Sequence, residues 1–166
     1  MSLIRIRGWF ARKRWRKEAW IIPERLLLAA YPSDQELRHY HGEGVRVVVN
    51  LHKRAHDPAK LAEIGITEIH IPVRDFTAPT PGQLDQGVSA ISHVIEAGQA
   101  ALVHCLRGRG RAGTLAACYL VSQGTPVDAA IDQVRELRPG AIRTHQQEAA
   151  IETWSRLPGR AGTPSS

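Results

Sequence analysis

The stretch AALVHCLRGRGRAGT occupies residues 100–114 and joins three kinds of local structure. Residues 100–104 are mostly apolar and of strand length, a pattern typical of a strand buried on both faces of a sheet. Gly108 and Gly110 then permit a tight turn, and an apolar run from about Arg111 to Gln123 predicts a helix. A buried strand, a glycine-rich turn and a helix in this order predict one unit of an α/β fold.

The rest of the chain repeats this alternation of strands and helices. We expect a hairpin over residues 20–29, strands at about 45–51 and 67–71, and helices at about 34–41, 58–64, 81–97, 126–137 and 145–156. The fold class predicted is therefore α/β, with a single domain whose central, mainly parallel sheet is flanked by helices. We expect this domain to span residues 20–157, preceded by a basic, aromatic N-terminal arm (1–19) and followed by a disordered tail (158–166).

Composition excludes several classes of protein. With 166 residues, 43% hydrophobic and 23% charged, the chain can build an ordinary globular core. The net charge of +6 is concentrated at one end, because residues 1–17 contain seven basic and no acidic residues, and the remainder has 15 basic and 16 acidic ones. We therefore expect no DNA partner. Trp9, Phe10, Trp15 and Trp20 are interleaved with Arg and Lys, which favours either attraction of residues 1–17 to an anionic membrane surface or packing of the arm on the domain.

The cysteines, the apolar runs and the first residues of the sequence together predict the cellular compartment. Cys105 and Cys118 are too few for a disulfide scaffold, and no run of about 18 apolar residues predicts a membrane span. A reducing cytoplasm is the default location, with the arm at a membrane surface as one variant. An arginine-rich start without acidic residues is also typical of a mitochondrial transit peptide, so that location stays open.

Chemistry is predicted at Cys105. A strand-to-helix turn presents successive backbone N–H groups to one point, and with the helix dipole they form an anion site that favours the thiolate form of a cysteine. Arg111 lies six residues further on and can bridge two phosphate oxygens. This arrangement suits in-line attack of sulfur on phosphorus. The phosphate-binding residues predicted are Leu106, Arg107, Gly108, Arg109, Gly110 and Arg111.

The motif is specific enough to indicate a family. His104-Cys105-x-x-Gly108-x-Gly110-Arg111-x-Gly113-Thr114 resembles the signature loop of the cysteine-dependent protein tyrosine phosphatases, and most closely that of the small atypical dual-specificity phosphatases. The resemblance extends over about residues 20–155. Other matching landmarks are Trp20 to Leu26, Gly44-Val45, Ile71-Pro72, Asp75-Phe76, Ala117 to Val121, Leu137 to Gly140, and Ile142 to Glu148.

The resemblance implies a hydrolase mechanism. Cys105 would be the nucleophile that becomes a phosphocysteine, Arg111 would bind phosphate, and Asp75 would be the general acid. Asp85 competes for the acid role but lies in a predicted helix and looks like a surface residue. No metal or other cofactor is implied. The leading substrate is protein phosphotyrosine with phosphoserine or phosphothreonine. We expect the side chains of Arg107 and Arg109 to rim the pocket mouth, which favours a phosphoinositide or another polyanionic phosphate as the alternative.

One position departs from the family pattern. The family usually has Ser or Thr directly after the arginine, whereas this chain has Ala112. That hydroxyl resembles a donor to the departing cysteine sulfur, and Thr114 is two residues away from its position. The departure leaves open a phosphate-binding module with weak turnover. Sulfur transfer on a rhodanese-like loop is a further alternative, which Asp75 and the Cys-x5-Arg spacing disfavour.

Supporting residues have two interpretations each. His104 shapes the loop, and the sequence favours this structural role over a chemical one. Gln147 either positions the hydrolytic water or is an exposed residue at a helix start. His52 and His56 have the spacing of a metal pair, but no third ligand pattern accompanies them. Cys118 is predicted to be a core residue.

Overall fold

The computed structural model describes residues 17–162. Its strands are β1 (Glu18–Ile22), β2 (Leu26–Ala29), β3 (Val45–Asn50), β4 (Thr67–His70) and β5 (Ala100–His104). Its helices are α1 (Asp34–Gly42), α2 (Pro58–Ile64), α3 (Pro81–Glu96), α4 (Gly110–Ser122), α5 (Val127–Leu137) and α6 (His145–Ser155). These bounds lie within two residues of the predicted ones, and the predicted α/β fold with a mainly parallel sheet is confirmed.

The sheet has the strand order β1-β2-β5-β3-β4. Only β1 is antiparallel, joined to β2 by the predicted hairpin, and the other three pairings are parallel. The carboxyl ends of β2, β5, β3 and β4 therefore meet at one edge of the sheet. In open α/β sheets this edge is where ligands bind, because the loops that follow the strands converge there.

β5 lies at the centre of the sheet and separates two apolar layers. Ala101, Val103 and Cys105 belong to the layer covered by α3 to α6, whereas Ala100 and Leu102 belong to the layer covered by α1 and α2. Successive side chains of a strand point to opposite faces, so this division follows directly from the period of two. It places Cys105 on the face of α4 and turns His104 toward the opposite face.

Several helices begin at residues that satisfy their first N–H groups. Ser33, Thr80 and Thr144 each accept from the N–H three residues on, and the Glu or Gln at that position bonds back to the cap. The α4 helix differs, because Arg109 caps it without a side-chain hydrogen bond. Its first turn therefore begins directly out of the glycine-rich loop.

The ends of the chain require one correction. Residues 1–16, which include nearly all of the predicted basic arm, lie outside the described residues, as do residues 163–166 of the predicted tail. Within the described part of that tail, Arg160 donates to both carboxylate oxygens of Asp85, at 3.0 and 2.7 Å. Gly162 N also donates to the carbonyl of Val121. The prediction of disorder is therefore wrong for residues 158–162, which pack on the domain. Among the helices of residues 17–162, none is long and apolar enough to cross a membrane.

Candidate active site

Cys105 lies directly after β5, at the start of the loop that leads into α4. It is 2% exposed, and the pocket above it is also lined by residues of this loop. The full lining comprises Asp75, Phe76, Cys105, Leu106, Arg107, Gly110, Arg111, Arg143 and Gln147. The structure thus brings the three predicted catalytic residues, Cys105, Arg111 and Asp75, into one pocket.

A buried arginine from the end of α5 holds the middle of this loop. Arg138 is 4% exposed and donates from Nη2 to the carbonyl of Arg107 at 2.9 Å and from Nε to the carbonyl of Gly108 at 3.0 Å. The same Nη2 donates to the carbonyl of Lys17 at 3.0 Å. Hydrogen bonds from a charged donor are stronger than neutral ones, so this guanidinium is an effective brace. The sequence marked Arg138 only as a family landmark and did not predict this role.

The start of the loop is held from the other face of the sheet. The carbonyl of Cys105 lies 3.1 Å from Nδ1 of His104, and the carbonyl of Leu106 accepts from the N–H of Tyr31 at 3.0 Å. Tyr31 follows β2, so the neighbouring strand supplies this donor. Both carbonyls are therefore drawn away from the pocket.

The end of the loop follows the same pattern. The carbonyl of Arg109 accepts from the N–H groups of Gly113 and Ile142, at 2.9 and 3.2 Å. The carbonyl of Gly110 accepts from the hydroxyl of Thr114 at 2.7 Å. Each carbonyl from residue 105 to residue 110 thus has a hydrogen-bond partner, either in α4 or His104 beside the loop or in a more distant part of the fold.

These carbonyl contacts determine where the N–H groups of the loop point. A trans peptide bond directs its C=O and its N–H in opposite directions. Because the carbonyls of residues 105–110 turn outward, the N–H groups of residues 106–111 turn toward the pocket. Such a concave row of N–H groups at a helix N-terminus is an anion-binding cradle.

Two glycines of the cradle lie where an added side chain would collide with a neighbour. Gly108 has φ +63°, and a Cβ there would lie 2.1 Å from the carbonyl oxygen of Ala29. No side chain can be accommodated, because the opposing atom belongs to the backbone of β2. At Gly110 a Cβ would lie 2.9 Å from Nε2 of Gln147. The motif glycines therefore let the loop approach both the sheet and α6.

Arg111 lies in the first turn of α4 and is 3% exposed. Its Nη1 donates to the carbonyl of Val73 at 2.8 Å, and its Nη2 lies 3.0 Å from Oδ1 of Asp75. The bond to Val73 fixes one arm of the guanidinium. The other arm faces the pocket, where it can bind an anionic ligand.

Asp75 belongs to the loop between β4 and α3. Its side chain is 49% exposed, and Oδ1 accepts from the N–H of Phe76 at 2.9 Å as well as from Arg111. Phe76 has φ +61° and is 59% exposed, which places an apolar ring at the mouth of the pocket. A non-glycine residue in this conformation is held in place by its surroundings, here a turn in which Thr77 donates to the carbonyl of Arg74.

Two of the predicted supporting residues need a closer description. Gln147 is 1% exposed, so its interpretation as an exposed residue is wrong. Its Oε1 accepts from the N–H of Arg143 at 2.8 Å, and its Nε2 donates to the carbonyl of Thr77 at 3.2 Å. It therefore ties α6 to the Asp75 loop. Thr114 points its hydroxyl at the carbonyl of Gly110, so it does not replace the hydroxyl that Ala112 lacks.

The two other arginines of the loop, Arg107 and Arg109, take different positions in the structure. Arg107 is exposed and lines the pocket, as the sequence predicted. The side chain of Arg109 instead lies against Gly140, with Cδ 3.6 Å from the position of a Cβ there, so the prediction that it rims the mouth is wrong. Arg143, which the sequence did not single out, lines the pocket in its stead. Its only sequence signal is its position beside the predicted start of the last helix.

The remaining candidates lie in the core or behind the loop. Cys118 is fully buried, and burial raises the pKa of its thiol. Asp57 caps α2, and Nε2 of His56 contacts Nε2 of His104 at 2.9 Å. Residues 17–162 contain no cluster of three or more side chains suited to hold a metal ion.

Comparison with known proteins identifies the family. The family model described as "Swiss Army Knife protein, DSP-PTPase phosphatase domain" matches residues 15–151 of the sequence. The chain belongs to this phosphatase family. The match confirms the resemblance inferred from the signature loop.

Individual members of the phosphatase family extend the comparison. The chain is 31% identical over 141 residues to phosphatidylglycerophosphate phosphatase PTPMT2 of Arabidopsis thaliana, covering 82% of this chain and 62% of that protein. It is 28% identical over 154 residues to dual specificity protein phosphatase CDC14C of Homo sapiens, covering 83% and 34%. The chain covers less than two thirds of the length of each of these two relatives. The active form of Tk-PTP superimposes with a TM-score of 0.78 at 28% identity, covering 87% of this chain and 99% of that structure.

Proposed function

We propose that this domain hydrolyses phosphomonoesters through a phosphocysteine intermediate, with phosphotyrosine and phosphoserine or phosphothreonine in protein as its substrates. The observation that carries the proposal is the position of Cys105 beneath a cradle whose N–H groups converge, with Arg111 beside it. A phosphate monoester carries negative charge on its non-bridging oxygens, which N–H groups and a guanidinium bind. Family membership supports the same chemistry.

The first step forms the phosphoenzyme. The thiolate of Cys105 attacks phosphorus in line with the leaving oxygen, so an S–P bond forms as the P–O bond breaks. Arg111 moves its Nη2 from Asp75 to the phosphate, while the bond from Nη1 to the carbonyl of Val73 keeps the guanidinium in place. Asp75, released and close to a dianion, is protonated and gives its proton to the leaving oxygen.

The second step returns the enzyme to its starting state. Asp75, now a carboxylate, accepts a proton from water as the water oxygen attacks phosphorus. The S–P bond breaks, inorganic phosphate leaves, and Cys105 is again a thiolate. Gln147 lies in the pocket and holds the Asp75 loop through Thr77, which suits it to orient this water.

The chain offers a matched pair of cysteines to test the proposal. Cys105→Ser should abolish turnover of a small aryl phosphate and retain binding of inorganic phosphate, because the cradle remains. Cys118→Ser should leave turnover unchanged, because that residue lies in the core away from the pocket lining. Persistent turnover in Cys105→Ser would exclude the covalent mechanism. Phosphate binding with no turnover in the unaltered protein would favour the phosphate-binding module.

A second candidate substrate is a phosphoinositide or another anionic phospholipid. The mouth of the pocket carries two exposed arginines, Arg107 and Arg143, and two exposed apolar side chains, Phe76 and Leu106. A polyanionic headgroup with an adjacent acyl chain fits this combination of charge and apolar surface. One relative is itself named as a phosphatidylglycerophosphate phosphatase.

A panel of substrates separates the two candidates. Turnover should be compared on a phosphotyrosine peptide, a phosphothreonine peptide and vesicles that contain a phosphoinositide, with the unaltered protein and with Arg143→Ala. Protein phosphatase activity predicts higher kcat/KM on the peptides and a small effect of the substitution. Higher kcat/KM on the vesicles, lost in Arg143→Ala, would instead favour the lipid.

A further inference from the structure

Two histidine rings meet behind the phosphate cradle, on the face of the sheet opposite α4. His104 is fully buried and His56 is 8% exposed, and their Nε2 atoms lie 2.9 Å apart. The other ring nitrogen of His104, Nδ1, lies 3.1 Å from the carbonyl of Cys105. A short chain of contacts therefore leads from His56 through His104 to the nucleophile's own peptide group.

The proton positions along this chain follow from its chemistry. Burial lowers the pKa of His104 to about 3, so its ring is neutral and carries one proton. A carbonyl oxygen only accepts hydrogen bonds, so that proton resides on Nδ1, facing Cys105. Nε2 of His104 is then an acceptor, and His56 must donate to it from its own Nε2.

The surroundings hold His56 in the position that this donation requires. Its backbone N–H donates to both carboxylate oxygens of Glu68 on β4, at 3.1 and 3.3 Å. The ring of Tyr31 stacks on the His56 ring with centroids 4.6 Å apart, and contacts His104 edge-on at 4.9 Å. Tyr31 also donates its N–H to the carbonyl of Leu106 in the cradle.

We propose that His56 is a positioning residue for the phosphate cradle: by donating to Nε2 of His104 it selects the tautomer whose Nδ1–H anchors the Cys105 carbonyl. That anchor turns the N–H of Leu106 toward the pocket, because both groups belong to one trans peptide. The catalytic consequence rests on the proposed function, whereas the proton positions are a property of the protein alone. This is the same logic by which a partner outside a metal site fixes the tautomer of a ligating histidine.

Charged and titratable groups face the His56 ring from several elements. They are Asp34 from α1, Glu68 and His70 from β4, Arg54 from the loop after β3, Tyr31 after β2, and His104. Burial lowers the pKa of His56. The positive charge of Arg54 and the nearby His70 also lower it, whereas the carboxylates of Glu68 and Asp34 raise it. When His56 takes a second proton in acid, the proton enters at Nδ1, and Nε2 continues to donate.

Nitrogen NMR on the unaltered protein tests the proton positions. We expect the imidazole signals to show a proton on Nδ1 of His104 and on Nε2 of His56, unchanged across neutral pH. A proton on Nε2 of His104 would overturn the proposal, and so would rapid exchange of the His104 ring between its two tautomers. This readout is independent of turnover, so it remains decisive if the protein proves not to be a phosphatase.

A pair of substitutions tests the consequence for the cradle. His56→Leu removes the donor, and we expect kcat/KM for an aryl phosphate to fall about tenfold, the order expected when a buried polar partner is lost. His56→Gln keeps a hydrogen-bond donor, so it should retain most of the kcat/KM that His56→Leu loses, and His104 should still be protonated on Nδ1. His70→Leu is the matched control, because His70 bonds to the carbonyl of His52, and it should retain kcat/KM. Equal losses in His56→Leu and His56→Gln would contradict the proposal. If His56→Leu fails to fold, the Gln variant and the nitrogen spectra still decide.

Discussion

Two loops supply the chemistry of the pocket, and the fold holds them in opposite ways. The cradle at residues 105–111 is anchored from outside by His104, Tyr31, Arg138 and the start of α4. The Asp75 loop is exposed, and its acidic side chain bonds to its own neighbour Phe76 and to Arg111. In the proposed mechanism the anchored cradle needs no reorganisation when phosphate binds, whereas Asp75 must leave Arg111 to reach the substrate. The comparison teaches that the anion cradle is built into the sheet edge, whereas the proposed acid lies on an exposed loop and shares its carboxylate with Arg111.

The largest effect is expected at Asp75 on the exposed loop. Asp75→Asn removes the proton donor, so we expect phosphate esters with poor leaving groups to be hydrolysed about 100-fold more slowly, the usual order for a general acid. Activated aryl esters, which depart without a proton, should be affected far less. Steady-state rates on a series of leaving groups measure this dependence.

Asp85 offers a matched control for that series. Asp85 lies on α3, away from the pocket lining. Its carboxylate accepts hydrogen bonds from Arg160 and from the indole N–H of Trp154. Asp85→Asn should leave the leaving-group dependence unchanged. Equal slowing of all esters in Asp75→Asn would remove Asp75 as the acid.

A smaller effect is expected when the rigid side is loosened. Arg138→Met removes the donors to the carbonyls of Arg107 and Gly108, so the N–H groups beyond them lose their fixed direction. We expect the affinity for inorganic phosphate, measured as competitive inhibition, to fall about tenfold, as for loss of a buried charge-assisted hydrogen bond.

The control for Arg138 is an arginine that braces another part of the fold. Arg160→Met breaks the partly exposed pair with Asp85 and should leave phosphate affinity unchanged. Unfolding midpoints of both variants show whether each remains folded. Unchanged phosphate affinity in folded Arg138→Met would contradict the view that the cradle is held from outside.

The smallest effect is expected at the end of the cradle. Ala112 is fully buried in the first turn of α4, at the position where the signature-loop resemblance leads us to expect Ser or Thr. Ala112→Ser should accelerate breakdown of the phosphoenzyme by a few-fold, because a hydroxyl can donate to the departing sulfur; about threefold corresponds to a weak neutral hydrogen bond. Burst kinetics measure this step separately from formation. An unchanged breakdown rate would show that the missing hydroxyl does not limit turnover.

Much of the fold could be predicted from local pattern. The β5 strand was predicted with the bounds observed, because a short apolar run followed by a glycine-rich turn has few alternatives. The pocket residues Cys105, Arg111 and Asp75 were also named, since their spacing resembles a known motif. Their catalytic roles stay predictions until turnover is measured.

Long-range contacts could not be predicted. Arg138 lies 30 residues from Gly108 in the chain, and only the packing of α5 against α4 brings them together. Gln147 was open to interpretation as a surface residue because it contacts Thr77 and lies beside Gly110, which are distant from it in the sequence. The membrane affinity of the arm also stays a prediction, because residues 1–16 lie outside the described part of the chain.

The most direct test of the central claim is to trap the intermediate. The protein should be mixed with an excess of aryl phosphate, quenched in acid within the first turnover and digested for mass spectrometry. We predict one phosphoryl group attached to Cys105, formed at the rate of the initial burst and absent from Cys105→Ser. Turnover with no phosphoryl group on Cys105, or with the group on another residue, would contradict the account.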